Sequence, residues 1–304
     1  MQRRDMLAIA AGALATPWAH MLREARAAEM KFKYSVCNEM FEKWNFAAVC
    51  KAIKSAGFAG IEISPFTLAE HADQISAARR RELRDIISSE GLQFAGLHWL
   101  LVTPPGLHAT TSDKKVRDTT WEYVRKVVDL CADLGKGIMV FGSPKQRGTQ
   151  GNTLAEAVDN FKNGLALVAP HAGESGCTIL IESLPSKDTD VVNTLEQAVK
   201  MVKEINHPAI QTMFDFHNTV DEKEASEVLV RRYFPYIRHV HVNEMDGRYP
   251  GTGSLNFLPV FQTLTDLKYS RWVSLEVFDF KPGPVQIVDD TMAFYMNMEK
   301  RLKS

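Results

Sequence analysis

Three carboxylates and one imidazole close four apolar runs in the second half of the chain. Glu182 follows "TILI", Asp215 follows "QTMF", His241 lies within "RHVHVN" and Glu276 follows "WVSL". One polar residue at the end of an apolar run is usually a solvated cap, but four in succession carry more information. Brought together, three carboxylates would repel and raise one another's pKa, and a cation removes that cost. Three oxygen donors and one imidazole suit Mn²⁺ first, with Mg²⁺ or Co²⁺ as alternatives, over a thiolate-preferring metal. No cysteine belongs to the group, which argues against structural zinc. Two earlier runs also end in groups able to ligate or bind, Glu62 after "GI" and His98 after "QFAGL".

The stretch "HVHVNEMDGRYPGTG", residues 239–253, sets two histidines on one face of a strand and Arg248 in the loop that follows. His239 lies deeper and reads as a hydrogen-bonded interior residue, while His241, nearer the rim, is the better ligand. Arg248 is placed to clamp a substrate hydroxyl, carboxylate or phosphate, or else is a solvated loop charge. In "GLHWLLVTPPGLH", Trp99 either stacks on a sugar face or packs a lid. Lys145 and Arg147 of "GSPKQR" either bind an anion or remain solvated.

All of this chemistry requires that the strand ends converge, so the elements decide it. From residue 31 onward, short apolar runs alternate with amphipathic segments. Strands are predicted over 31–37, 60–63, 93–98, 137–142, 178–183, 211–216, 238–243 and 272–278. The clearest helices are predicted over 75–90, 114–134, 154–174 and 195–205. Strict alternation implies a parallel sheet. Eight such units in about 250 residues predict an α/β protein built as a single (β/α)8 TIM barrel, whose chemistry lies at the C-terminal ends of the strands. The first strand lacks a GxGxxG turn, which removes the usual support for a dinucleotide-binding sheet. No linker divides residues 28–304, which read as one domain.

Residues 1–27 read differently. Arg3 and Arg4 precede a modest apolar stretch, and Ala25-Arg26-Ala27 offers a small-x-small cleavage pattern. This predicts a twin-arginine export signal and a periplasmic or otherwise exported protein, cytoplasmic if the signal is not functional; the other reading is an amphipathic N-terminal helix. The whole chain is 45% hydrophobic and 24% charged with a net charge of −1, an ordinary globular balance with no field to attract nucleic acid. No run of about 20 apolar residues predicts a membrane span. Cys37, Cys50, Cys131 and Cys177 are widely spaced with apolar flanks, and are expected as buried free thiols.

At "IESLPSKDTDVVNT" (181–194), "MFDFHN" (213–218), "HVHVNEMDGRYPGTGSLNF" (239–257) and "SLEVF" (274–278), the chain resembles the xylose isomerase-like barrel superfamily. Its sugar phosphate isomerase/epimerase, ketose 3-epimerase and hydroxypyruvate isomerase-type branches are the similar ones. The resemblance covers nearly all of 31–300. It implies Glu182, Asp215, His241 and Glu276 as ligands of one divalent ion, with Glu182 and Glu276 doubling as the acid/base pair. It implies substrate contacts for His217 and Arg248 and, where ketose epimerases often carry Glu, for Asp188; Glu62, His98 and Trp99 join the expected substrate-binding set. The resemblance also allows a homodimer or homotetramer acting on a small sugar.

The function expected is a metal-dependent sugar isomerase or epimerase working through an enediolate. The alternatives are a lyase or dehydratase on keto-sugars or keto-glycosides using the same site, non-catalytic sugar binding, and a relative of the abasic-site endonucleases. The last would need an Asp-x-His pair where this chain reads "GRYPGTG".

Overall fold

In the computed structural model, which describes residues 30–303, eight strands alternate with eight α-helices. They run β1 (Lys33–Cys37), α1 (Phe46–Ala56), β2 (Gly60–Ile63), α2 (Ala77–Ser89), β3 (Gln93–Leu97), α3 (Lys114–Leu134), β4 (Ile138–Phe141) and α4 (Leu154–Glu174). They continue β5 (Thr178–Ile181), α5 (Leu195–Ile205), β6 (Ile210–Asp215), α6 (Ser226–Tyr233), β7 (Ile237–Val242), α7 (Leu258–Asp266), β8 (Trp272–Leu275) and α8 (Pro284–Glu299). Each strand pairs in parallel with its sequence neighbours, and β8 pairs with β1, so the sheet is a closed (β/α)8 barrel. The expected export segment, residues 1–27, lies outside the described residues. Among the described residues no helix is long and apolar enough to cross a membrane.

Local chemistry sets the helix ends. Thr153 caps α4 in a full capping box with Glu156, and Asp113 accepts from the N–H groups of Lys115 and Val116 at the start of α3. The helix expected from residue 75 starts at Ala77, because the Ser76 hydroxyl accepts from Arg79 N–H and caps it there. At the barrel seam Glu299 of α8 accepts from Lys31 N–H and from the Tyr34 hydroxyl, tying the last helix to the first strand.

The outward side chains of the strands pack under the helices in one continuous core. The barrel interior is divided. Val140, Leu180 and Met213 from β4, β5 and β6 form a small apolar plug. The opposite side, from β7, β8, β1 and β2, is polar and buried: His239, His241, Ser274, Ser35 and Glu62 are all 0% exposed. Between β6 and β7 the register slips, with Thr212 opposite Ile237 but Phe214 opposite Val240. The extra residue in β7 sets Asp215 directly opposite His241, as bulges near functional sites often do. The four cysteines are buried and free.

Candidate active site

Glu182, Asp215, His241 and Glu276 converge at the C-terminal ends of β5 to β8, and one ligand atom from each lies within 4.8 Å of the others. His241 Nδ1 faces the group, 3.1 Å from Glu276 Oε2 and 4.0 Å from Glu182 Oε1. Asn218 donates from Nδ2 to Glu182 Oε1 at 3.0 Å and to Asp215 Oδ2 at 2.8 Å, so one amide bridges two of the carboxylates. Its position three residues after Asp215 was the only signal of it in the sequence.

The electrostatics are those of acids crowded out of water. Burial, then Glu276 and Asp215, push the Glu182 carboxyl well above the usual range. Burial and Glu276 push Asp215 up to about 6. Burial alone would also raise Glu276, but the charge and hydrogen bond of His241, with His98 nearby, hold it below the usual value. A divalent ion fits this set, because it would neutralise three acids that otherwise oppose one another. The backbone makes room for the Glu182 carboxylate: a Cβ at Gly142 would collide with Glu182 Oε2.

Beneath the quartet, Glu62 lies behind His241 and off the cavity wall, not at the substrate-facing position expected of it. It is fully buried, accepting from His239 Nε2 at 2.7 Å, from Ser274 Oγ at 2.6 Å and from His241 Nε2 at 3.0 Å. Burial would raise its pKa, but His239 and His241 hold it well below the carboxylate range. Glu62 therefore orients His241 from behind, fixing which ring nitrogen is turned to the quartet, as carboxylates behind metal-bound histidines do.

A cavity of 220 Å³ opens above the quartet, lined by Glu182 and Glu276 and walled by His98, Trp99, Asp188 and His217, among others. Trp99 donates from Nε1 to Glu276 Oε1 at 3.1 Å and stands edge-on to Phe278, whose ring also meets His217 at 5.0 Å. The His217 backbone N–H is held by Asp215 Oδ1 and Asn243 Oδ1. His98 lines the cavity but is 1% exposed, and its Nε2 is 2.8 Å from Glu39 Oε2. Burial would lower its pKa; Glu39, Glu62 and Glu276 raise it. Cys37, Glu39 and His98 also approach Glu276 within 4.8 Å, but burial pushes the Cys37 thiol well up and keeps it neutral, so this second group reads as a hydrogen-bonded wall.

The two loop arginines both lie outside the cavity wall. Arg248 is 41% exposed and spends its guanidinium on Asp246, two residues away. Arg147 is neither an exposed anion binder nor solvated. It is 0% exposed and donates to the carbonyls of Phe141 at 2.9 Å and Glu182 at 2.7 Å, with Val192 at 3.5 Å. It clamps the ends of β4 and β5 to the loop that carries Asp188.

The family described as "Xylose isomerase-like TIM barrel" matches residues 50–298. The ketose 3-epimerase of Arthrobacter globiformis is 27% identical over 174 residues, which span 56% of this chain and 59% of that relative. A probable ketose 3-epimerase of Synechocystis sp. is 23% identical over 257 residues, 83% of this chain and 86% of that one. The crystal structure of the 3-keto-D-glucoside 4-epimerase from E. coli superposes with a TM-score of 0.76 at 19% identity, covering 88% of this chain and 99% of that one. With a closed eightfold barrel and a family match over most of its length, the chain belongs to the xylose isomerase-like TIM barrel family.

Proposed function

We propose that this protein is a metal-dependent sugar epimerase or isomerase that moves a proton on a carbon next to a ketone or aldehyde. The observation that carries the reading is the convergence of Glu182, Asp215, His241 and Glu276 beneath a cavity of sugar-ring size. The three similar proteins described above are sugar epimerases by name, which supports the reaction class.

The quartet would hold one divalent ion, Mn²⁺ by preference, which supplies Lewis acidity toward the carbonyl and neighbouring hydroxyl oxygens of the substrate. The residues supply the proton transfers. One of Glu182 and Glu276 removes the proton to give an enediolate, and the other returns it, to the opposite face in an epimerase or to the adjacent carbon in an isomerase. In the metal-free protein the two are already split, Glu182 held toward its neutral form and Glu276 toward its ionised form, the asymmetry a two-carboxylate shuttle needs. Trp99 fixes Glu276 through its indole N–H, and with Phe278 offers an aromatic wall to the apolar face of a sugar. Asp188 and His217 stand where they would hold substrate hydroxyls.

The test is solvent deuterium exchange into a panel of ketoses and 3-keto-glycosides by Mn²⁺-loaded protein. Exchange with a rearranged product is expected; loss of a leaving group would identify a lyase using the same site. Glu276→Gln is expected to keep the fold and most metal binding while lowering turnover by at least about 10²–10⁴-fold. Wild-type turnover in that variant would end the acid/base assignment. We also propose export through the segment around Arg3 and Arg4; fractionation of cells carrying the full chain and an Arg3→Lys/Arg4→Lys variant tests it, and an unchanged distribution removes it.

A further inference from the structure

The reaction cavity shares its walls with a neighbour. An open groove of 380 Å³ lies over the loops that follow β4 and β5, and Pro144, Lys187 and Asp188 line both it and the reaction cavity. The two loops form one floor. Asp190 accepts from the N–H and the hydroxyl of Thr149, and buried Arg147 holds both loops from below. The groove is therefore part of the resting fold.

Its chemistry is unspent. Lys145, Gln150, Lys187 and Asp188 are exposed and have no side-chain hydrogen bond or ion pair among the described residues. Three of them are charged, at the lip between cavity and groove or just beyond it. Ammonium, amide and carboxylate together offer donors and acceptors to a neutral polyol. A phosphate would gain the two lysines but would also meet Asp188 and Asp190. The first cavity alone, at 220 Å³, falls below the roughly 300–1,000 Å³ typical of ligand clefts, and it continues into the open groove past Pro144, Lys187 and Asp188.

We propose that the substrate is a keto-glycoside, with its keto-sugar ring over the metal quartet and a second, unphosphorylated sugar residue in the groove between the 144–150 and 186–190 loops. This rests on the sugar epimerase or isomerase reading of the quartet and adds the substrate class. Contacts to a remote ring can be used to raise the rate at the reacting carbon, so truncated substrates lose kcat as well as affinity.

The experiment compares kcat/KM of Mn²⁺-loaded protein, by deuterium exchange, on 3-keto-D-glucose, its methyl glycoside and 3-ketotrehalose, with D-fructose and D-fructose 6-phosphate as the phosphate arm. The disaccharide is expected to exceed the methyl glycoside by at least about tenfold. A Lys145→Ala/Gln150→Ala variant, altered only in the groove, is expected to erase that preference and leave the methyl glycoside rate unchanged. Equal rates on disaccharide and methyl glycoside, a preference that survives the double substitution, or a preference for the phosphorylated sugar would each overturn the second-ring site while leaving the reaction reading intact. Absence of exchange into every sugar would remove both.

Discussion

At Glu62 one buried carboxylate accepts from His239, His241 and Ser274 at once. Changing it to Gln keeps the shape but puts an amide N–H₂ where an acceptor stood, so at least one of the three donors loses its partner. Groups behind a ligating histidine typically set its ring orientation and basicity, and their removal weakens metal binding about 10–100-fold. Chelator competition with Mn²⁺ on Glu62→Gln is expected to show a loss of that order; unchanged affinity would mean that Glu62 is only an interior plug. The same position shows how far sequence carries a single residue. Glu62 and Glu276 both end apolar runs, and nothing local separates them. Depth in the barrel does: Glu276 is turned to the cavity and Glu62 lies beneath His241.

The loops after β4 and β5 are tied to each other by Arg147 as well as by their own backbone hydrogen bonds. Its fully buried guanidinium reaches the Phe141 and Glu182 carbonyls, and near it Val192 adopts φ 62°, a left-handed conformation that costs a β-branched residue on the order of 1–3 kcal/mol. Arg147→Met is expected to destabilise the protein by about 1–3 kcal/mol for each carbonyl left unpaired, read from urea unfolding. Arg147→Lys should recover little, because one ammonium on a flexible stem does not reproduce a planar fork aimed at two acceptors. Full recovery by Lys would mean that charge, not geometry, is what the loops require. Helix and strand boundaries were legible to within a few residues because capping groups such as Thr153, Asp113 and Thr194 sit beside the backbone they satisfy. The Arg147 clamp was not, because "GSPKQR" reads as an ordinary polar loop until the carbonyl of Glu182, 35 residues away, is brought to it.

For the whole molecule, the quartet couples pH to stability. The folded-state pKa values of Asp215 and Glu182 lie above their unfolded values, chiefly through burial. Such groups contribute stability fully below their unfolded pKa and lose it as pH rises through the folded one. From Asp215 the metal-free protein is expected to lose stability between about pH 4 and about pH 6, with Glu182 extending the loss upward. Thermal melts of chelator-treated protein across that range should fall with pH, with a shallower slope in Asp215→Asn; saturating Mn²⁺ should recover stability at neutral pH by mass action. Identical slopes in the two proteins would refute the strain assigned to Asp215. The sequence by itself determined the barrel and the four groups at the ends of strands five to eight, because apolar periodicity and strand termini are local properties of the chain. Only the tertiary structure decided that Glu62 holds His241 from behind, that Arg147 is buried and that Arg248 pairs within its own loop away from the cavity. The role of a charged side chain depends on how deep it lies and which partner it meets, and the partner of Glu62 is 177 residues away.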